Sequence, residues 1–312
     1  MENGRRSPGA PVSEIAGQRA FDWLASKFPR FDLGTAEPAD IPDEASQTVF
    51  IEVAWLALAL ARGERFTDDE RLQRCVNHVL RAYRSPGFHR YILSGHPLAF
   101  AGHLVLWIAA EHFGGERQVP RAAIQQVIDS GRVTAPPRTP DRLIELRYFL
   151  DRAGFRHALP DFSDLFAMSV LSDPPDAEQI AEAGLYEATH VVIYTTDFGR
   201  ERPVYLGARR RQITEFLEAA LRRCVDARHW DLVAELLFSL RCLGGSGSPV
   251  PDPAWHALRW AQDPSGAIPE APAGGRIAAR RCRNPDRAAF LALYHRSLVT
   301  VLAGLVPGRQ HA

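Results

Sequence analysis

A chain of 312 residues with 37 basic and 37 acidic side chains carries no basic excess of the kind that nucleic-acid binding draws on. Hydrophobic residues make up 46% and charged residues 24%, a globular balance that allows one sizeable core. The longest apolar run, Val53–Ala61, is far short of a membrane span, and the polar start, Met1 to Val12, has no secretory apolar stretch. Cys75, Cys224, Cys242 and Cys282 form no CxxC pair and read as reduced thiols. A cytoplasmic protein is expected, with neither membrane nor nucleic acid as partner.

In chain order, residues 1–12 read as a disordered tail and 13–306 as a single helical domain. Ser13 is expected to cap a first helix in which Ile15, Ala16, Ala20, Trp23, Leu24 and Phe28 share a face. A polar loop over 34–42 leads to an apolar helix near 43–62, and Asp68 opens the next over 68–84. Further helices are expected near 97–113, 120–130, 139–153, 161–170, 177–198, 209–227, 229–243, 252–262 and 285–305. Pro or Gly marks nearly every joint, as at Pro86-Gly87, Gly114-Gly115 and Pro136-Pro137. The β-branched run Val191–Thr196 lies inside a longer helical pattern, with a short extended segment as the alternative. About twelve helices with short joints make about six αα-hairpins, in an open solenoid or a closed (α/α)6 toroid. A solenoid should show self-similarity at a fixed period, and none is visible, so the all-α toroid is favoured.

The segment Glu187–Gly199 is the most unusual. On a helix, Glu187, His190, Tyr194 and Asp197 would form one polar stripe among Val191, Val192 and Ile193. Such a stripe costs free energy unless its members pair with each other or with something bound. It reads either as a cavity wall with an acid, a base and a phenol, or as a satisfied core network ending at Asp197 and Gly199. Glu235 stands among Leu232, Val233, Leu236, Leu237 and Leu240 with no basic residue at i±4, a setting that favours its neutral form and acid–base work. Asp231, in a first turn, is accounted for by the helix dipole.

Two segments resemble a known pattern. Thr189, His190, Tyr194, Asp197, Phe198 and Gly199, with Tyr294, His295, Leu298 and Val299, match Thr-His-x-x-x-Tyr-x-x-Asp-Phe-Gly followed by a terminal Tyr-His-x-x-Leu-Val. That pattern is similar to an uncharacterised actinobacterial helical family of specialised-metabolite biosynthesis, and the resemblance implies that context without implying a reaction. The turn Gln262-Asp263-Pro264-Ser265-Gly266 resembles the Gln-Asp-x-x-Gly-x-aromatic turn of terpene-cyclase-like α/α toroids, with Ile268 or Ala267 where an aromatic is usual.

His103, Trp107 and Glu111 stand at successive i+4 steps, and His103 and Trp107 either line a substrate cavity or complete a satisfied helix face. Arg209, Arg210 and Arg211 at a helix start invite an anion or form a solvated face, as do Arg280, Arg281, Arg283 and Arg287 near the last helix. No HExxH, paired-cysteine, DDxxD, P-loop or GxGxxG pattern occurs, so no metal or cofactor is expected. The expectation is an enzyme, a cyclase or lyase acting on a small, possibly anionic molecule by cofactor-independent acid–base cyclisation, elimination or intramolecular displacement. Closure of a small heterocycle with loss of sulfate or phosphate would fit. His190, Tyr194, Asp197, Glu235 and His295 would be catalytic, and Arg209–Arg211, His103 and Trp107 would bind substrate. The alternative is a non-catalytic scaffold or accessory subunit that binds a partner enzyme or its intermediate.

Overall fold

Long stretches poor in Pro and Gly fold as helices throughout. The computed structural model describes residues 10–28, 44–97, 99–116, 118–244, 250–270 and 285–306, and among these it holds fourteen α-helices and no strand. The first seven are α1 Val12–Lys27, α2 Glu44–Leu60, α3 Glu70–Tyr83, α4 Pro86–Ser94, α5 Phe100–His112, α6 Arg121–Asp129 and α7 Pro140–Ala153. The rest are α8 Phe162–Ala167, α9 Glu182–Thr195, α10 Val204–Gly207, α11 Arg210–Asp226, α12 Trp230–Cys242, α13 Pro251–Ala261 and α14 Pro285–Leu305.

Six helices make an inner layer. Helices α2, α5, α7, α9, α12 and α14 pack in that cyclic order, and the cycle closes because α14 packs on α2. Outside them, α1 covers α14, α3 and α4 cover α5, α8 covers α7, α11 covers α12, and α13 packs on α1 and α12. This is the order a closed (α/α)6 ring requires, whereas an open solenoid would leave its first and last hairpins apart. Early residues meet early residues, as Tyr186 of α9 meets Asp231 of α12, and late meet late, as Phe198 just past α9 meets Phe238 of α12. The inner helices therefore run in one direction.

The expected helices are present, with local corrections. Pro11, not Ser13, is the N-cap of α1, and no side chain caps it. Asp69, not Asp68, caps α3, accepting from the backbone N–H groups of Arg71 and Leu72. Pro86-Gly87 does mark a joint, and it opens a helix that was not expected: Ser85 caps α4 by accepting from Phe88 N–H, with Pro86 at the start of the helix, where a missing N–H costs nothing. Val191–Thr195 is helical, and the extended alternative does not occur. Ile15 is 40% exposed rather than part of the buried face of α1. The tail expected over 1–12 lies outside the described residues up to residue 9, and Val12 already opens α1.

Helix α14 is the ring member that α1 covers most closely. By length and composition its stretch Asp286–Leu305 could cross a membrane, with mean hydropathy 1.5, but 67% of the stretch is buried inside this fold. The α1–α14 seam is tight because both helices place glycine there: a Cβ on Gly304 would lie 2.5 Å from the Ser13 carbonyl oxygen and 3.0 Å from Gly17 Cα. Gly304→Ala gains about 1 kcal/mol of helix propensity and loses more to the clash, so urea denaturation should show a net loss of about 1–2 kcal/mol. The turn after α13 fastens the same seam. Gln262 Nε2 donates to the Ala16 carbonyl at 3.1 Å, Arg19 donates to the Asp263 and Pro264 carbonyls, and Gly266 takes φ +102° against the Arg19 backbone.

Candidate functional site

Asp231 falls in the first turn of α12, where the helix dipole favours an acid, and Glu235 follows one turn later on the same face. Facing them are Glu52 from α2, Tyr186 and His190 from α9, and Tyr294 and His295 from α14. His295 Nδ1 lies 3.0 Å from Glu52 Oε2. Its Nε2 lies 3.6 Å from Glu235 Oε1 and 3.7 Å from Asp231 Oδ1, too long for hydrogen bonds and close enough for ion pairs. The Tyr186 hydroxyl donates to Asp231 Oδ2 at 2.5 Å, and Tyr294 is hydrogen-bonded to Glu52. Glu235 is therefore not in the purely aliphatic setting its neighbours in sequence suggest.

One imidazole thus meets three carboxylates. Burial works against its charge and is the largest single influence, but Glu52, Asp231 and Glu235 outweigh it and raise its pKa well above the ordinary value. The cluster is reachable: the His295 side chain is 35% exposed, while Glu235 is 4% exposed. A histidine whose folded pKa is raised adds stability that is fully present below its unfolded value of about 6.5 and is lost as pH rises through the folded value. Between pH 6 and 9 the wild-type Tm should therefore fall relative to that of His295→Gln, as scanning calorimetry can check. Parallel curves would show that His295 carries no raised pKa.

A second arm extends from α9 to α7. His190 Nδ1 lies 3.6 Å from Asp141 Oδ2 and makes no hydrogen bond. Burial opposes its charge, yet Asp141, Glu235 and Glu145 outweigh burial and raise its pKa. For Asp141, burial is outweighed by His190 and Thr139, which lower its pKa. Arg142 pairs with Glu145 at 2.9 Å, and the Tyr194 hydroxyl donates to Glu145 at 3.1 Å. Burial first, and then Glu145, hold the Tyr194 phenol well above its ordinary pKa.

Asp197 stands apart. Helix α9 ends at Thr195, so Asp197 does not continue its stripe, and Asp197, Phe198 and Gly199 take φ of 45°, 59° and 83°. Gly199 is required there because a Cβ would lie 2.9 Å from Cys242 Cα. Arg62 donates to Asp197 at 2.8 Å and to the Tyr148 hydroxyl at 3.1 Å, and Tyr148 donates to Asp197 at 2.6 Å. Phe198 packs against Trp55, Tyr148 and Tyr194, so this end of the ring interior is filled by aromatic rings.

The other sequence candidates lie elsewhere. Glu187 accepts from Val170 N–H at 2.9 Å. His103 contacts the Ala99 carbonyl at 2.7 Å and stacks on Tyr91, and Trp107 donates to the Val119 carbonyl. Both sit in satisfied packing rather than in the cluster. Arg209 and Arg211 are exposed, and Arg210 lines a separate cavity of about 440 Å³ with Thr196, Arg202, Leu206 and Cys242, near the opposite ends of the inner helices. Arg280, Arg281 and Arg283 lie outside the described residues, and Arg287 lies on α14. Sequence reasoning missed Glu52, Tyr186 and the role of Asp231. Glu52 carries the signal that marks Glu235, a lone carboxylate between apolar neighbours on an apolar helix.

A family model described as Domain of unknown function (DUF6895) matches residues 17–305, and the chain belongs to that family. No curated protein and no solved structure matches it.

Proposed function

We propose that this member of the DUF6895 family is an enzyme that performs acid–base chemistry on a small molecule inside its helical ring. The supporting observation is His295 held among Glu52, Asp231 and Glu235, carboxylates from two other helices, with its side chain 35% exposed. Glu235, nearly buried and with Oε2 unpaired, is the base. His295, an imidazolium stabilised by Glu52, is the acid. Glu235 removes a proton from a nucleophile of the substrate, the nucleophile closes on a carbon that bears a leaving group, and His295 gives its proton to that group as the bond breaks. Cyclisation, elimination and intramolecular displacement all fit this pair, and none of them calls for a cofactor. Tyr186 orients Asp231, and the His190–Asp141 pair borders the site with a second imidazole. A departing sulfate or phosphate would meet these imidazoles and Arg142, since Arg209–Arg211 do not reach the cluster.

The specialised-metabolite setting rests on the Thr189–Gly199 and Tyr294–Val299 resemblance, and the terpene-cyclase likeness on the turn at Gln262. Cytoplasmic placement agrees with the buried free thiols Cys75, Cys224 and Cys242. The second reading, a scaffold or accessory subunit that binds a partner enzyme, is favoured by the mutually paired Arg62, Tyr148 and Asp197.

The test is untargeted. A small-molecule extract of the source cells is incubated with wild type, Glu235→Gln and His295→Ala, and consumption is followed by mass spectrometry. The enzyme reading expects at least one compound consumed by wild type and spared by both folded variants. Equal consumption by all three, or none by any, would overturn it.

A further inference from the structure

The cluster carries more negative charge than its own cation balances. Around one imidazolium stand the carboxylates of Glu52, Asp231 and Glu235, an excess of two negative charges by count. Two of their oxygens, Asp231 Oδ1 and Glu235 Oε2, are buried without a hydrogen-bond partner. Glu235 is 3% exposed, so its free oxygen is an unpaired acceptor in a nearly dry place. A buried carboxylate oxygen with nothing to accept from is costly, and a site that holds one awaits a donor. Among the described residues no group of His, Cys, Asp and Glu is arranged to hold a metal ion. An organic cation that carries its own N–H donors has the chemistry these two oxygens lack.

We propose that Asp231 Oδ1 and Glu235 Oε2 receive the protonated amine of a small aliphatic substrate. An ammonium group has three N–H donors and compact charge, the chemistry that would supply a donor to each oxygen and offset part of the local excess. Tyr186 and Tyr294 flank the carboxylates, Tyr186 on Asp231 and Tyr294 on Glu52. Their rings give an apolar stem a surface and stabilise a cation over their faces. The sequence suggested an anionic partner because of the arginine triplet, and the charge of this cluster argues for the opposite sign. The inference rests on the enzyme reading and sharpens it. Transfer of one ammonium proton to Glu235 Oε2 leaves a neutral amine with a free lone pair, which is the nucleophile that ring closure needs.

The test uses three probes of one shape, n-butylammonium, n-butanol and butyrate, titrated into the whole protein by calorimetry with His295 imidazole shifts followed by NMR. Butylammonium should bind saturably and move the His295 signals, with the alcohol and the carboxylate weaker by at least about tenfold. Glu235→Gln and Asp231→Asn should each weaken the amine by at least about tenfold. The proposal is overturned if butyrate or butanol binds as well as the amine, if the amine does not saturate, or if both variants bind it like wild type. Loss of turnover in Glu235→Gln without any amine preference would overturn the cation assignment and leave the enzyme reading standing. Amine binding with no compound consumed from any extract would do the reverse.

Discussion

Arg62→Ala should lower the free energy of unfolding by about 2–4 kcal/mol, the largest loss expected of any single change at this end of the ring. The guanidinium joins three structures: it bonds Asp197, bonds the Tyr148 hydroxyl, and lies 5.2 Å over the Phe198 ring. Asp197 and Phe198 both occupy left-handed backbone, which costs a non-glycine residue about 1–2 kcal/mol and persists only when surrounding contacts hold it. Without Arg62, Asp197 keeps Tyr148 and a longer contact to Arg152 at 3.5 Å. The Arg62 and Asp197 side chains are 16% and 14% exposed, so the loss should fall short of that for a fully enclosed pair. Urea denaturation of Arg62→Ala, Asp197→Ala and the double variant should give a coupling of about 1 kcal/mol or more. Additive losses would mean that the pair is two independent surface contacts.

Glu235→Gln and His295→Ala should each cost about 10²–10⁴ in turnover of the compound found in extracts, the usual worth of a positioned proton-transfer group. Glu235→Gln keeps shape and removes the basic oxygen. His295→Ala removes the acid and leaves three carboxylates facing one another. Tyr186→Phe should cost less, about ten- to a hundredfold, because the phenol only orients Asp231 by a charged hydrogen bond. Equal losses in all three would mean that the cluster acts through folding rather than proton transfer. Single-turnover rates per folded molecule separate the two.

Much of the fold was legible because helix caps, breaks and apolar spacing are local signals. What misled was also local. Pro86-Gly87 read as a break with no helix before about residue 97, although Pro also favours a first helical turn, and α4 starts there. Asp197 looked like the next step of a helical stripe because offsets alone do not report where a helix stops; Gly199, which must accept left-handed backbone, was the available sign. The site was half legible. His190, Tyr194 and Glu235 stood out as polar groups in apolar helices and His295 through its Tyr-His-x-x-Leu-Val pattern, and the ring does bring Glu235 onto His295. Glu52 and Tyr186 come from helices far away in the chain, and only the closure of α14 on α2 places Glu52 beside His295. The arginine triplet divides: Arg209 and Arg211 are exposed, Arg211 to 93%, as charge runs near helix ends mostly are, whereas Arg210 lines the cavity at the other ends of the inner helices.

The central claim is that Glu235 is placed for chemistry rather than for stability, while Glu52 and Asp231 suffice to hold the His295 imidazolium, and one denaturation curve tests it. His295 keeps Glu52 and Asp231 when Glu235 is changed, so Glu235→Gln does not strand a charge; it removes one excess negative charge and supplies an amide donor beside Asp231. Groups kept for function are commonly unfavourable for folding. The unfolding free energy of Glu235→Gln at neutral pH should equal the wild-type value or exceed it by up to about 1–2 kcal/mol. A loss of about 2 kcal/mol or more would show that Glu235 helps hold the ring together, and would contradict the account.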